Sequence, residues 1–196
     1  MGHHMGETDR RIKRTRRLLR DALMALIVEK GFDAVTIRDI TDRADVAYAT
    51  FFRHYESKEA LLGEQIDLLI KEFEAMGHAD TGDHPVLAEG KLFFHHVAAH
   101  QALYRSLLDP KSSRAVVSRL KHVIAENTRP HAEEHYRHLS EPAIPLEVSL
   151  NHIASSLLEL VAWWLDSDML LTPDQMAHIY ARLVIEATWF AVSGKP

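Results

Sequence analysis

Residues 36–58, TIRDITDRADVAYATFFRHYESK, hold two short helical patterns and the start of a third, and that crowding restricts the fold more than any other feature of the chain. Thr36 suits an N-cap, because its hydroxyl can take an orphan backbone N–H, and Asp39 three residues on places a carboxylate at the positive helix end. A helix therefore starts at Ile37. Ile37, Ile40 and Ala44 share one helical face, while Arg38, Asp39, Asp42 and Arg43 stay outward. Asp45 stands at the break, a residue type that tolerates left-handed backbone and can bond its own main chain. A second helix follows, from about Ala47 to Tyr55, with Val46, Phe51 and Tyr55 on its core side. Tyr48, Ala49, Phe52, Arg53 and His54 are left on its other faces, with Thr50 near the N-terminal edge. Ser57 caps the next helix, which sets Lys58 in a first turn whose N–H groups favour an anion.

A short helix that is small at its start and aromatic or basic later suits a DNA major groove. Small residues let the backbone approach the bases, and cationic ones meet phosphates. From spacing alone a plain α-hairpin is the favoured reading. The stretch VTIRDITDRADVAYATFFRHYESKEALL, however, resembles the DNA-binding signature of TetR-type transcriptional regulators, including the run Phe52-Arg53-His54-Tyr55 and the following Ser57-Lys58-Glu59-Ala60-Leu61-Leu62. The resemblance covers about the first third of the chain. It implies that Thr36, His54 and Lys58 meet phosphates, Lys58 partly through its backbone N–H. It also implies that Tyr48, Ala49 and Thr50 read bases, the Thr50 methyl being able to meet a thymine methyl. Ala47 and Phe52 fall at the remaining contact positions. Family members usually carry Gly at 45, Ser or Thr at 47 and Tyr at 52. Here Ala47 removes a cap and a hydroxyl donor, and Phe52 cannot donate to a phosphate.

Charge is divided unevenly. Residues 1–58 hold 12 Lys+Arg against 9 Asp+Glu, whereas residues 59–196 hold 11 against 19. An acidic whole argues against non-specific coating of nucleic acid, and a basic N-terminal third fits a confined DNA-binding surface. Seven basic residues and no acidic one lie between Arg10 and Arg20. They open an amphipathic helix striped by Ile12, Leu19, Leu23 and Leu26, with Ala22 and Ile27 beside them, that reaches about Glu29 and ends at Lys30-Gly31. Its Arg-rich start is placed to reach phosphates. Met1-Gly2-His3-His4-Met5 reads as a tag remnant. The chain has no cysteine, no apolar run long enough to span a bilayer and no visible signal peptide, so a cytoplasmic protein without membrane contact is expected.

From Lys58 a longer helix runs to about Met76, with Leu61, Leu62, Ile66, Leu69, Ile70 and Phe73 inward. A polar loop, Gly77 to His84, separates it from helical segments near 85–108, 112–138, 146–167 and 173–193. The first of these breaks near Gln101, and Pro130 kinks or restarts the second. Pro110 is a further point of punctuation. No strand pattern appears, so the expected fold is all-α: an N-terminal three-helix helix-turn-helix head, residues 7–57, and a C-terminal helical bundle, residues 58–196, for ligand binding and dimerisation. In the third segment Leu150, Ile153, Leu157, Val161 and Trp164 form a stripe. In the last, Met176, Ile179, Leu183, Glu186 and Phe190 form another, widened by Tyr180, Val184, Ala187 and Ala191. Helices apolar over most of their circumference are buried on two sides, which predicts a homodimer through the last two helices. Two reading heads roughly 34 Å apart need that two-fold symmetry. The tail LVAWWLDSDMLLTPDQMAHIYARLV is similar, more weakly, to a C-terminal half common in the same family, which dimerises and encloses an effector pocket.

Phe93, His96, His100, Tyr104, Tyr136 and Trp163 mix aromatic bulk with polar tips and are the candidate ligand-binding residues. His96 with His100, and His131 with His135 and His138, have helical spacing for a metal, but no carboxylate or Cys completes a motif, so a solvated face is expected and no metal or cofactor. No phosphate loop, nucleophile elbow or paired-carboxylate motif appears, and no catalytic residue is assigned. The resulting expectation is a sequence-specific DNA-binding regulator, a repressor released from a palindromic double-stranded operator by a small-molecule effector. The alternative, suggested by Asp45, Ala47 and Phe52, is a helical dimer that chiefly binds a ligand or protein and whose DNA head is weak.

Overall fold

The computed structural model describes residues 3–75, 85–109 and 114–194. The expected loop Gly77–His84, Pro110, and the side chains of Ile70 and Phe73 lie outside the described residues. Those described form helices, turns and bends without a strand.

Helix α1 (His3–Lys30) starts ahead of the basic run and closes as its sequence requires: Gly31 adopts φ +76° and donates its N–H to the Ile27 carbonyl at 2.9 Å. Leu19, Leu23 and Ile27 are fully enclosed, but Ile12 is exposed, so the packed stripe begins near Leu18. Helix α2 (Ile37–Arg43) opens with a reciprocal cap. The Asp39 N–H donates to the Thr36 hydroxyl at 3.1 Å, and the Thr36 N–H to the Asp39 carboxylate at 2.7 Å. A hydrogen bond from Lys30, then those from Thr36, holds the Asp39 carboxyl far below its ordinary range. Asp45 takes the left-handed conformation at φ 52°.

Helix α3 (Tyr48–Phe51) is shorter than the periodicity suggests. Beyond Phe51 the Arg53 and His54 N–H groups bond three residues back, tightening the chain until Tyr55 turns its ring into the core. Helix α4 (Lys58–Ala75) is capped by Ser57, whose Oγ accepts the Ala60 N–H at 3.1 Å. Helices α5 (Pro85–Ala99) and α6 (Gln101–Leu107) meet at His100, and α7 (Arg114–Arg137) runs through Pro130 without restarting. Helix α8 (Leu146–Asp166) turns through Asp168 and Met169, both left-handed, into α9 (Pro173–Tyr180), which a second Thr-initiated capping box at Thr172 begins. A π-helical segment, Ala181–Glu186, joins α9 to α10 (Ala187–Val192). No helix among the described residues is long and apolar enough to cross a membrane.

Two apolar clusters hold these elements together. One gathers α1, α2, α3 and the start of α4, and also takes in Leu107 and Val116. The Ser106 hydroxyl donates to the Ile27 carbonyl at 2.6 Å, so packing and hydrogen bonding both run from the head into the bundle. The other cluster fills the space between α5, α6, α8 and α9, centred on Phe94, Ile153, Val161 and Trp164. Trp164 is fully enclosed and donates its indole N–H to the Leu171 carbonyl at 2.8 Å, fixing the α8–α9 turn.

The stripe of α8 is buried as expected, whereas that of the last helix is only partly so. Met176 is buried and Ile179 half-buried, but Leu183, Glu186 and Phe190 face outward. The core side is Tyr180 and Val184 of the widening residues, continued by Thr188 and Val192. A π-helical turn holds more residues than an α-turn and moves every later side chain around the axis, an offset invisible to a 3.6-residue pattern.

Candidate nucleic-acid interface and ligand cavity

The head presents α3 by its core anchors. Phe51 is fully enclosed and Tyr55 nearly so, which leaves Ala47, Tyr48, Ala49, Phe52 and Arg53 on the surface with Thr50 partly covered. Tyr48 is 49% exposed yet held. Its ring meets the edge of Phe52 at 5.4 Å, and the Arg38 guanidinium lies 5.9 Å from its centre. Ala47 occupies the N-cap position of α3 and makes no side-chain cap bond, so the first N–H groups there lack the partner a Ser or Thr would supply. Arg38 was legible only as an outward residue of α2; its place over Tyr48 depends on the angle between the helices.

The expected phosphate positions differ in how their side chains are used. Thr36 is exposed, with its N–H and hydroxyl both directed at Asp39. His54 is half-buried, and burial, followed by the nearby Arg16 and Arg53 charges, holds its imidazole pKa below the ordinary value. Lys58 donates its ammonium to the carbonyls of Phe32, Asp33 and Val35 at 3.0, 3.2 and 2.9 Å, and lies 4.5 Å from the centre of the Phe32 ring. Its side chain closes the α1–α2 loop, and only its backbone N–H remains at the α4 start. Lys58→Ala leaves three carbonyls without their charged donor and is expected to destabilise the chain by about 2–3 kcal/mol. A urea midpoint equal to that of the parent would contradict this role.

Behind the head, Arg16 donates to the Tyr55 hydroxyl at 3.1 Å and to Glu64 at 2.9 Å, and Arg20 reaches the other Glu64 oxygen at 3.0 Å. Burial pushes the Glu64 pKa up, but Tyr55, Arg16 and Arg20 together hold it below the usual carboxylate range. Arg16 therefore ties Tyr55, beyond the end of α3, to α4, and Arg20 ties α1 to α4, a duty their sequence run does not reveal. Asp67 on α4 similarly takes Arg119 of α7 at 2.6 Å.

The bundle encloses a cavity of about 190 Å³ between α4, α5, α6, α7, α8 and the last helix. Ile66, Leu107, Leu157, Leu158 and Ile185 form much of its buried wall, and Asn127 and His131 are the exposed residues at its mouth. Of the candidate ligand-binding residues, Phe93, His96 and Tyr104 line it. His100, Tyr136 and Trp163 do not. His100 is exposed at the α5–α6 break, its ring 4.6 Å from that of His96. Tyr136 gives its hydroxyl to the Ile144 carbonyl, with Ser149 Oγ also 2.8 Å away, and braces the α7–α8 connection. Trp163 is half exposed on the outer side of α8, one residue from the enclosed Trp164. Glu89, His131, Tyr180 and Trp189 also line it, residues that the sequence reading did not place there. Burial drives the Tyr104 phenol up to about 12 and, with the added field of Glu89, drives Tyr180 well above its ordinary value, so both hydroxyls stay protonated. No group of three or more metal-ligating side chains occurs among the described residues.

Residues 19–64 match the family model described as bacterial regulatory proteins, tetR family, and residues 91–186 match one described as a transcriptional regulator C-terminal region. Over 187 residues, 91% of this chain, the sequence is 28% identical to YxbF of Bacillus subtilis, an uncharacterised HTH-type transcriptional regulator. Over 62 residues, 32% of this chain, it is 40% identical to the HTH-type transcriptional repressor KstR of Rhodococcus jostii. The matches take in 46% and 28% of those two proteins, so the chain spans half or less of the length of these curated relatives. The crystal structure of a TetR transcriptional regulator from Streptococcus agalactiae superposes with a TM-score of 0.69 at 23% identity, covering 92% of this chain and 99% of that one. The head, the bundle behind it and both family matches agree: the chain belongs to the TetR family of bacterial transcriptional regulators.

Proposed function

We propose that this chain is a homodimeric repressor that reads an operator palindrome with α3 and leaves it when a small molecule fills the bundle cavity. One observation carries the reading. Phe51 and Tyr55 pin a one-turn helix whose Ala47, Tyr48, Ala49 and Arg53 all face outward. A fully packed hairpin has no reason to expose a half-buried tyrosine between two small residues, whereas a groove-reading helix does. Thr50 and Phe52 flank that surface, and Thr36, His54 and the Lys58 backbone N–H border it for phosphates. The name of KstR, a repressor to which the chain is similar over 62 residues, supports the sign of regulation.

The dimer surface is the outer side of the last two helices, where Val148, Trp163, Leu183 and Phe190 are large, apolar and exposed. Release is coupled to the head through α4. Ile66 and Leu69 of that helix line the cavity, while Glu64 and Asp67 tie it to Arg16, Arg20 and Arg119. A ligand that prefers one setting of α4 shifts the heads by that differential affinity. The uncapped α3 start at Ala47 favours a lower intrinsic affinity than a Ser or Thr would give.

Gel shifts on the DNA upstream of its own coding region test the reading. At about 150 mM salt, retention of that fragment over excess random DNA is expected, with an affinity that falls as salt rises. Equal retention of both fragments would overturn it in favour of a head that no longer reads sequence.

A further inference from the structure

The charge pattern of the cavity narrows what it takes. Among the described residues that line it there is no Lys or Arg, and Glu89 is the carboxylate. Glu89 lies 3.4 Å from the His131 imidazole at the mouth, its side chain 31% exposed, so it is partly withdrawn from water. Three rings share the cavity wall with it: Phe93 one turn along α5, Tyr180, whose phenol feels the Glu89 charge, and Trp189, which stacks on His135 at 4.8 Å. Aromatic faces and a carboxylate attract a cation, and an anion entering here would meet neither a cationic side chain of the wall nor a favourable field. The excess of acid over base in residues 59–196 draws in the same sign.

Size sets the body of the ligand. A cavity of about 150 Å³ holds benzene, so one of about 190 Å³ takes a single ring with a short chain. We propose that the cavity binds a small arylalkylamine in its protonated form, the ring among the apolar side chains between Leu157 and Ile185 and the ammonium at Glu89 in place of the His131 imidazole. This deepens, and rests on, the reading of the cavity as the effector site.

Calorimetric titration with three compounds of one length tests it: 3-phenylpropylammonium, 3-phenylpropanol and 3-phenylpropanoate. At about pH 8, where an ordinary imidazole is neutral, the ammonium is expected to bind at least about tenfold more tightly than the alcohol and the carboxylate most weakly. In Glu89→Gln the ammonium and alcohol should converge to within about twofold, and His131→Gln should keep or widen the preference. Equal affinity of the ammonium and alcohol for the parent protein, or a preference for the carboxylate, would overturn the cationic class while leaving the cavity as a binding site. Heat from none of the three would overturn the class and the effector cavity together.

Discussion

Leu183→Glu combined with Phe190→Glu is expected to yield a folded monomer whose affinity for a two-half-site operator is about 10²–10⁴-fold lower than that of the parent. Both residues lie on the outer face of the last helix, 66% and 62% exposed, and Trp163 on α8 adds a third large apolar group at 50%. None of them holds the chain's own core. That side is built from Tyr180, Val184, Thr188 and Val192, so two added carboxylates cost the monomer little. Across a two-fold interface the same surface meets itself, and each substitution then sets charge against apolar surface and against its own copy. The large loss at DNA follows because one head bound to one half-site forfeits the second, intramolecular, binding event. Sedimentation and gel shifts on the same samples check both halves. A variant that stays dimeric with unchanged operator affinity would place the interface elsewhere.

Tyr48→Ala is expected to lower affinity for the operator by about 10–100-fold, the worth of roughly 1–3 kcal/mol of base discrimination, while binding to random DNA changes little. Stability should hold, since Tyr48 is half exposed and α3 is anchored by Phe51 and Tyr55 instead. Phe52 and the Arg38 cation hold the ring in one place, so a tyrosine entering a groove from here would have little rotamer freedom left to lose. Arg38→Ala provides the contrast. Removing a cation at this surface should weaken specific and random DNA alike and flatten the salt dependence. Equal losses at both DNAs for Tyr48→Ala would remove that residue from base reading.

Local chemistry was readable in advance, and long-range contact was not. The Thr36–Asp39 cap, the Gly31 helix stop, left-handed Asp45 and the α5–α6 break all depend on residues within four of one another, and each is where its sequence signal put it. The α3 anchors Phe51 and Tyr55 followed from a single helical face. Lys58 reaches back 26 residues to the Phe32 carbonyl and Arg16 forward 39 to Tyr55, distances over which spacing carries no information. The cavity shows the same limit. Phe93, His96 and Tyr104 share one stretch of chain and were legible as a group, whereas Glu89 and His131 meet only because α5 packs near α7. Aromatic character alone also admitted Tyr136 and Trp163, whose orientation is set by the helices beside them. Leu183 and Phe190 were readable as apolar, but which apolar face of the last helix turns to the chain's own core was not, because the π-helical segment breaks the period on which that inference depends.

Selection of bound DNA from a random-sequence pool bears most directly on α3 as a base-reading helix within a two-fold dimer. The enriched sequences should form an inverted repeat whose half-sites lie about one helical turn, or a multiple of it, apart, and Tyr48→Ala should erase the preference at a symmetry-related pair of positions. A pool that shows no enriched sequence, or a single asymmetric site indifferent to Tyr48, would contradict the account.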